Sequence, residues 1–300
     1  MYKIAYSPIY VLPLPAGHRF PMAKYELIPE QLLYEGTIES SQLFTPRAVE
    51  NSIAELVHTK SYIEKLITLQ LTEKEIRRSG FPLTRTLIER EFIICGGTCE
   101  GAVAALKDGI AFNIAGGTHH AYADKAEGFC LLNDQAVAAA YLLKNKQAKR
   151  ILIVDLDVHQ GNGTASIFNN SPEVFTFSMH AGHNFPLQKE RSDLDISLPD
   201  GCTDEVYLDT LRDTLPYLLT THQPDFIFYQ SGTDILQTDK LGRLQISRNG
   251  CKERDQQVLE MANRNEIPLM VTMGGGYSPK ISDIVEAHCN TFRIAATLYS

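Results

Sequence analysis

Short apolar runs alternate with segments of helical periodicity along most of the chain. Runs such as ILIVDL and PLMVTM show no polar alternation, which is typical of strands covered on both faces in a parallel sheet. The predicted strands are Lys3–Tyr6, Ile110–Ile114, Arg150–Asp155, Val174–Ser178, Asp225–Tyr229 and Pro268–Thr272. The predicted helices are Pro21–Tyr34, Gly101–Asp108, Asn133–Lys144, Asp204–Thr220, Gly250–Arg264 and Lys280–Leu298. This alternation predicts a three-layer α/β/α fold with a central, mostly parallel sheet, organised as a single domain over residues 1–300.

Polar and glycine-rich segments follow five of the predicted strands. These segments read AGGTHH, DLDVHQGNG, SMHAGHNF, QSGTD and MGGGY. Ligands of open α/β sheets bind outside the carboxyl ends of the strands. We therefore expect the active site at this edge of the sheet.

The segment after the third predicted strand carries candidate metal ligands. Asp155, Asp157 and His159 are two residues apart, so their side chains start on one side of an extended chain. Aspartate and histidine are good Zn²⁺ ligands, and Asp234 after a later strand is the natural third one. An isolated Asp-x-His could equally cap the helix that follows it. That alternative does not explain why other strand ends are also rich in histidine, aspartate and tyrosine.

Two further strand ends carry groups suited to acid–base chemistry. His119 and His120 follow Gly116 and Gly117. A histidine pair can be ordinary loop decoration, but neighbouring glycines let the backbone approach a ligand closely. Tyr277 follows three glycines; such turns often bind phosphate, yet no phosphate-loop motif is present. A tyrosine there can instead donate its hydroxyl to a developing oxyanion.

The net charge of −8 argues against a general nucleic-acid binder but leaves Lys-rich partners possible. Six scattered cysteines without a CxxC motif favour a reducing compartment. The N-terminus lacks the pattern of a secretory leader, and no apolar run reaches the roughly 18–20 residues of a membrane span. We therefore expect a cytoplasmic protein without direct nucleic-acid binding or a membrane span.

Taken together, the motifs resemble those of the histone deacetylase and acetylpolyamine amidohydrolase family. They are HRFPMAKY, GGTHHA, EGFCLLND, DLDVHQGNG, SMH, GTDILQTDKLG and GGGY, in family order from residue 18 to residue 277. HQGNG and GTDILQTDKLG are most similar to the class IV deacetylases. The resemblance implies a metal-dependent amidohydrolase that removes an acyl group from lysine in a protein or peptide. Its alternatives are a deacetylase of small acylated amines such as polyamines, a long-chain fatty-acyl-lysine hydrolase, and a catalytically quiet protein that binds zinc or acyl-lysine.

The resemblance also implies roles for individual residues. Zn²⁺, or alternatively Fe²⁺, would be held by Asp157, His159 and Asp234. His120 would be the general base and then the general acid, and Tyr277 would bind the oxyanion. The remaining catalytic positions are His119 as an electrostatic partner, Asp155 as the group that orients it, and Asn162.

Asn162 departs from the pattern of other family branches, which have a carboxylate at this position. An amide oxygen can accept the His120 N–H but adds no charge. We therefore expect a lower pKa for His120 than an aspartate would give. Lys24 stands where many relatives have arginine, and the segment SGFPLT lacks the aspartate that many relatives use to bind the substrate backbone.

The resemblance finally implies a substrate tunnel and bound monovalent cations. The tunnel residues are Gly128, Phe129, Phe185 and Leu241. A structural K⁺ would be bound by backbone carbonyls of Asp155, Asp157, His159 and Met179, together with Ser178. A second cation site would involve Phe168, Ser171 and Val174. The physiological substrate, the preferred acyl length and the oligomeric state are left open.

Overall fold

The computed structural model describes residues 1–299, with eight strands and ten α-helices in that range. The strands are β1 (Lys3–Ala5), β2 (Leu43–Phe44), β3 (Ile110–Asn113), β4 (Ile151–Asp155), β5 (Val174–Ala181), β6 (Leu194–Leu198), β7 (Phe226–Gln230) and β8 (Leu269–Thr272). The helices are α1 (Lys24–Tyr34), α2 (Asn51–Ala54), α3 (Lys60–Ile67), α4 (Glu73–Ser79), α5 (Arg85–Asp108), α6 (Asp134–Lys144), α7 (Asn162–Phe168), α8 (Asp204–His222), α9 (Arg248–Arg264) and α10 (Ile281–Leu298).

The strands form one sheet in the order β2-β1-β3-β8-β7-β4-β5-β6, and every pairing is parallel. Helices flank the sheet, so the α/β fold with a central parallel sheet is confirmed. The six predicted strands are present within a few residues of their predicted bounds. The two strands that were not predicted are the edge strands β2 and β6. β2 has only two residues, and the LDISL sequence of β6 alternates between partly buried and exposed positions.

Helix α5 begins at Arg85, although the sequence pattern predicted a helix only from Gly101. Two glycines, Gly96 and Gly97, lie in the middle of this helix and weaken the local helical signal. A Cβ added at Gly96 would lie 1.8 Å from the carbonyl oxygen of Arg47. The glycine therefore lets the preceding loop pack directly on the helix, and tertiary packing overrides propensity.

The register of the four central strands determines where the polar segments emerge. In β3, β8, β7 and β4, the residues Asn113, Thr272, Gln230 and Asp155 are aligned across the sheet. All four strands therefore end at the same level. The segments with His119 and His120, Tyr277, Asp234, and Asp157 and His159 leave the sheet side by side.

Within residues 1–299, no helix combines the length and the apolar character that crossing a bilayer requires.

Candidate active site

The structure brings three buried ligand groups together at the ends of β4 and β7. Ligand atoms of Asp157, His159 and Asp234 lie within 4.8 Å of one another. The His159 Nδ1 atom is 3.1 Å from Asp157 Oδ1 and 3.1 Å from Asp234 Oδ2. The exposed fractions of the three residues are 1%, 8% and 0%. The cluster thus has the composition and spacing of a metal site with room for additional ligands.

Backbone N–H groups hold both carboxylates in place. The Gly275 N–H donates to Asp157 Oδ2 at 2.8 Å, and the Val158 N–H donates to Asp234 Oδ1 at 3.0 Å. A Cβ on Gly275 would lie 2.0 Å from Asp234 Oδ2. Only glycine therefore permits this close approach of the β8 loop.

These residues fit a divalent cation. Burial, followed by the charge of Asp157, raises the pKa of Asp234 to about 7. Two neighbouring buried carboxylates repel each other unless a cation lies between them. A dication bound by two carboxylates and one imidazole would remove that repulsion. The described residues therefore include a candidate metal site, formed by the residues that the sequence indicated.

His119 is paired with a carboxylate. Its Nδ1 atom is 2.6 Å from Asp155 Oδ2, and both side chains are buried. Burial opposes protonation, but the charges of Asp155 and Asp157 outweigh it and raise the pKa of His119. His119 is therefore suited to hold a positive charge beside the site.

His120 is paired with an amide instead. Its Nδ1 atom is 2.6 Å from Asn162 Oδ1, and the Asn162 Nδ2 group donates to the Tyr122 hydroxyl at 3.0 Å. Burial, together with the neighbouring His119 and His159, lowers the pKa of His120 well below its usual value. His120 is therefore neutral at pH 7 and able to accept a proton.

Tyr277 lines the same pocket as His120, and its hydroxyl is protonated. Burial, with the charges of Asp234 and Asp157, holds the pKa of Tyr277 well above its usual value. Its backbone N–H donates to Asp239 Oδ2 at 2.6 Å. Because Asp239 Oδ1 also accepts from the backbone N–H of Leu241, at 2.8 Å, one carboxylate ties the tyrosine to the pocket mouth.

A pocket of about 540 Å³ opens onto these groups. Its lining includes the four predicted tunnel residues and three of the predicted chemical groups: Gly128, Phe129, Phe185, Leu241, His120, His159 and Tyr277. Phe129 has a φ of +66°, which is uncommon for a bulky residue, and it is the one non-glycine residue of positive φ among those that line this pocket. At Gly128, a Cβ would lie 2.6 Å from the His120 ring, so the pocket wall packs directly on this imidazole.

The residues of each predicted cation site lie close together in the fold. Asp155 of β4 is paired in register with Ser178 of β5, and the buried Met179 follows Ser178. Phe168 ends α7, and its carbonyl accepts the Ser171 N–H at 2.9 Å just before Val174 begins β5. Cation binding at either place stays a prediction.

Two buried cations support the site: Arg254, which the sequence did not identify, and Lys24, which it identified only as the replacement for the arginine of many relatives. Arg254 of α9 is fully buried and donates to the carbonyls of Gly232, at 2.5 Å, and Leu156, at 3.3 Å. It therefore fixes the two backbone segments that carry the aspartate ligands. Lys24 is also buried and donates to the Gly274 carbonyl at 2.8 Å. Nothing in its local sequence distinguishes Arg254 from an exposed arginine, and the carbonyl partners of both cations are distant along the chain.

Comparisons with known proteins agree with this geometry. The family described as Histone deacetylase domain matches residues 18–292. An uncharacterized protein of the cyanobacterium Picosynechococcus is 43% identical over 99% of both chains. Histone deacetylase clr6 of Schizosaccharomyces pombe is 33% identical over 87% of this chain and 67% of its own length.

Among solved structures, a histone deacetylase homologue from Aquifex aeolicus matches with a TM-score of 0.83 and 25% identity, covering 97% of this chain and 82% of its own. The family match spans seven of the eight strands, β2 to β8, together with the polar segments at the strand ends. The chain belongs to the histone deacetylase family and is a hydrolase of the deacetylase type.

Proposed function

We propose that this protein hydrolyses the amide bond of acylated lysine side chains, with Zn²⁺ held by Asp157, His159 and Asp234. One observation carries the proposal: His120, His159 and Tyr277 line a single pocket that reaches the ligand cluster. A base, a metal ligand and an oxyanion donor are therefore accessible to one substrate carbonyl. Fe²⁺ is the alternative metal for the same ligand set.

The bound metal would act as a Lewis acid toward the amide carbonyl and lower the pKa of water at the site. The protein's own groups would perform the proton transfers. Since His120 Nδ1–H donates to Asn162 Oδ1, the lone pair of the neutral ring is on Nε2. This atom would take a proton from the attacking water and deliver it to the leaving amine.

Tyr277 would stabilise the negative charge that develops on the carbonyl oxygen. Its raised pKa keeps the phenol protonated throughout the neutral pH range, so that it can donate a hydrogen bond. His119, held by Asp155, would keep one positive charge next to His120. That charge disfavours protonation of the His120 Nε2 atom until negative charge develops on the substrate.

The aromatic walls support lysine as the carrier of the acyl group. Phe129 and Phe185 line the pocket, and an aliphatic stem between them would gain about 25 cal/mol for each Å² of apolar surface removed from water. Tyr277 packs near Phe129, with ring centroids 6.0 Å apart. The aromatic lining of the pocket thus suits the four methylenes of lysine.

The inner end of the pocket supports a short acyl group. A chamber of about 40 Å³ is lined by the three candidate ligands on one side and by Phe20, Tyr25 and Cys130 among other residues, and a bound metal would take up part of it. This space suits the methyl of an acetyl group, whereas a long fatty chain would require these side chains to move. We therefore propose acetyl-lysine as the preferred substrate of this site.

Potassium at the carbonyls of Asp155, Asp157, His159 and Met179 with Ser178 is part of the same proposal. The parallel pairing of Asp155 with Ser178 supports it, since it brings two of the five positions side by side behind the metal ligands. A cation there would fix the segment that carries Asp157 and His159. Removal of K⁺ is then expected to lower turnover clearly while the unfolding temperature changes little.

The decisive experiment is a series of acyl-lysine peptides of increasing acyl length, with acetylated polyamines, assayed before and after metal removal. We expect the acetyl peptide to have the highest kcat/KM, chelation to abolish turnover, and Zn²⁺ to restore it. Turnover that persists in protein shown to be metal-free by elemental analysis would contradict the proposal.

Substitution at Tyr277 separates binding of the metal from chemistry. The Tyr277→Phe variant is expected to keep its zinc content while kcat falls roughly 10²–10³-fold. Tyr217→Phe is the matched control, because Tyr217 is an exposed residue of α8. Equal turnover in both variants would remove the oxyanion role.

A further inference from the structure

The mouth of the pocket carries an unusual set of charges. Three arginines, Arg19, Arg78 and Arg243, line it, whereas Glu127 is the single carboxylate in the lining. This local balance is opposite to the net charge of −8 on the whole chain. Charges farther away than the Debye length of about 8 Å are largely screened, so the local groups dominate the field that a substrate meets.

The arginines differ in their pairing. Arg243 is 3.0 Å from Asp200, which is also 3.3 Å from His183. Among residues 1–299, neither Arg19 nor Arg78 has a carboxylate within 4.0 Å. Both side chains are exposed. Two guanidinium groups at the mouth are therefore free to bind an anion.

Both arginines are attached to the wall formed by Phe129. The Arg19 Cζ atom is 5.9 Å from the centre of the Phe129 ring. The Arg78 carbonyl accepts the Gly128 N–H at 3.2 Å, and the next carbonyl, that of Ser79, accepts the Phe129 N–H at 2.9 Å. The free charges are thus anchored beside the passage for the lysine stem, where residues flanking an acyl-lysine would lie.

We infer that the mouth selects acyl-lysines whose neighbouring residues are anionic, and that it disfavours polycationic amines and Lys-rich segments. The inference rests on the proposed function, since it concerns the part of the substrate that stays outside the pocket. Guanidinium groups bind carboxylate or phosphate through paired N–H donors. Acidic side chains and phosphorylated residues share this chemistry.

The test uses acetyl-lysine peptides of one length that differ only in their flanking residues: glutamine, glutamate, phosphoserine or lysine. We expect kcat/KM to be highest for an anionic peptide and lowest for the lysine peptide. The glutamate and phosphoserine arms distinguish carboxylate from phosphate as the preferred anion. The differences should diminish in about 0.5 M salt, because exposed pairs are screened.

Substitutions at the mouth test whether its charged residues cause the preference for anionic flanks. In the double variant Arg19→Gln, Arg78→Gln, the anionic-to-neutral ratio of kcat/KM should fall about three- to tenfold. Glu127→Gln should raise this ratio. Lys107→Gln is the matched control, because Lys107 is an exposed residue at the end of α5, just before the amino end of β3 and opposite the site.

Dissociation constants of the same peptides, measured by calorimetry, separate this inference from the proposed function. Charge-ordered binding without hydrolysis would support the inference and contradict the function. Hydrolysis with equal kcat/KM for all four flanks would overturn the inference and leave the function standing. Absence of both binding and hydrolysis would contradict both.

Discussion

Two adjacent residues, His119 and His120, show how different partners give one side chain two different properties. Their ring centroids are 4.0 Å apart, and each Nδ1 atom is 2.6 Å from an oxygen acceptor. The acceptor is a carboxylate of Asp155 for the first and an amide of Asn162 for the second. The pKa of His119 is raised, whereas the pKa of His120 is lowered well below its usual value.

This difference shows that two adjacent imidazoles can share one positive charge unequally, so that one ring is protonated and the other is neutral. Burial disfavours the charged form of both rings. Only the ring with a carboxylate partner overcomes that cost. The charge on His119 then acts on His120, which leaves His120 neutral and ready to act as a base.

The strongest test of this comparison removes each ring in turn. His120→Ala is expected to lower kcat roughly 10²–10⁴-fold, because the base and acid are lost together. His119→Ala should cost only about 10–100-fold, since this ring acts through its neighbour. Single-turnover rates and metal content of both variants provide the measurement. Equal losses would mean that the two rings share the proton transfer.

A smaller change exchanges the partner of His120. In Asn162→Asp the added carboxylate should raise the pKa of His120, because it favours the charged ring. A neutral base loses activity as pH falls through its pKa, so the acid limb of kcat/KM should move to higher pH by about one unit or more. Asn162→Ala, which removes the acceptor without adding charge, is the comparator. An unmoved acid limb in Asn162→Asp would contradict the tuning of His120.

A still smaller effect is expected at Tyr122, whose hydroxyl accepts from the Asn162 amide and donates to Glu190 Oε1 at 3.1 Å. This contact determines which end of the amide faces His120. Tyr122→Phe should lower kcat about two- to tenfold, the value of one neutral hydrogen bond, while KM is kept.

The matched control is Tyr141→Phe on α6, which should leave kcat unchanged. A loss of metal content or of folding stability that accounts for the lower rate would show that Tyr122 has a structural role rather than a positioning one.

Substitution of a third buried imidazole, that of His58, is expected to change turnover at neutral pH less than the substitutions above. Its Nδ1 atom bonds to the Tyr122 carbonyl at 3.0 Å, and its Nε2 atom accepts the Asn133 N–H at 3.0 Å. Burial lowers the pKa of His58 to about 4. Since the unfolded chain has a His pKa of about 6.5 and binds the proton first, folding stability is lost as pH falls from about 6.5 to about 4, by about 3 kcal/mol in total.

The variant His58→Gln can keep both hydrogen bonds but cannot titrate. Denaturant unfolding at several pH values should give it a flatter dependence in that window than the unchanged protein. Identical slopes would mean that His58 does not remain neutral in the folded state.

The sequence predicts those features of the structure that depend on residues close together along the chain, and it misses those that depend on distant residues. Buried strands such as β4 and β7 are evident from their own residues, and the chemistry at their ends follows from the layout of parallel sheets. The edge strand β6 lacks a continuous apolar run, and only packed neighbours explain the adjacent glycines Gly96 and Gly97 in the middle of α5.

The same limit applies within the site. The imidazole pair and the three candidate ligands have distinctive spacing along the chain. Arg254 does not, because it binds a carbonyl 98 residues away. Lys24 belongs to a family motif, but its hydrogen bond to a carbonyl 250 residues away did not follow from that motif. Burial of a cation is a property of the assembled fold, and no local pattern encodes it.

Because the four central strands end at the same level, the ligand cluster can assemble only when the sheet has folded. His159 and Asp234 are 75 residues apart and meet only when β4 and β7 lie in one sheet. A partly synthesised or partly opened chain therefore has no assembled ligand cluster, and an ion that binds only there links two distant stretches of polypeptide. Occupancy of the cluster would then report that the centre of the sheet is complete.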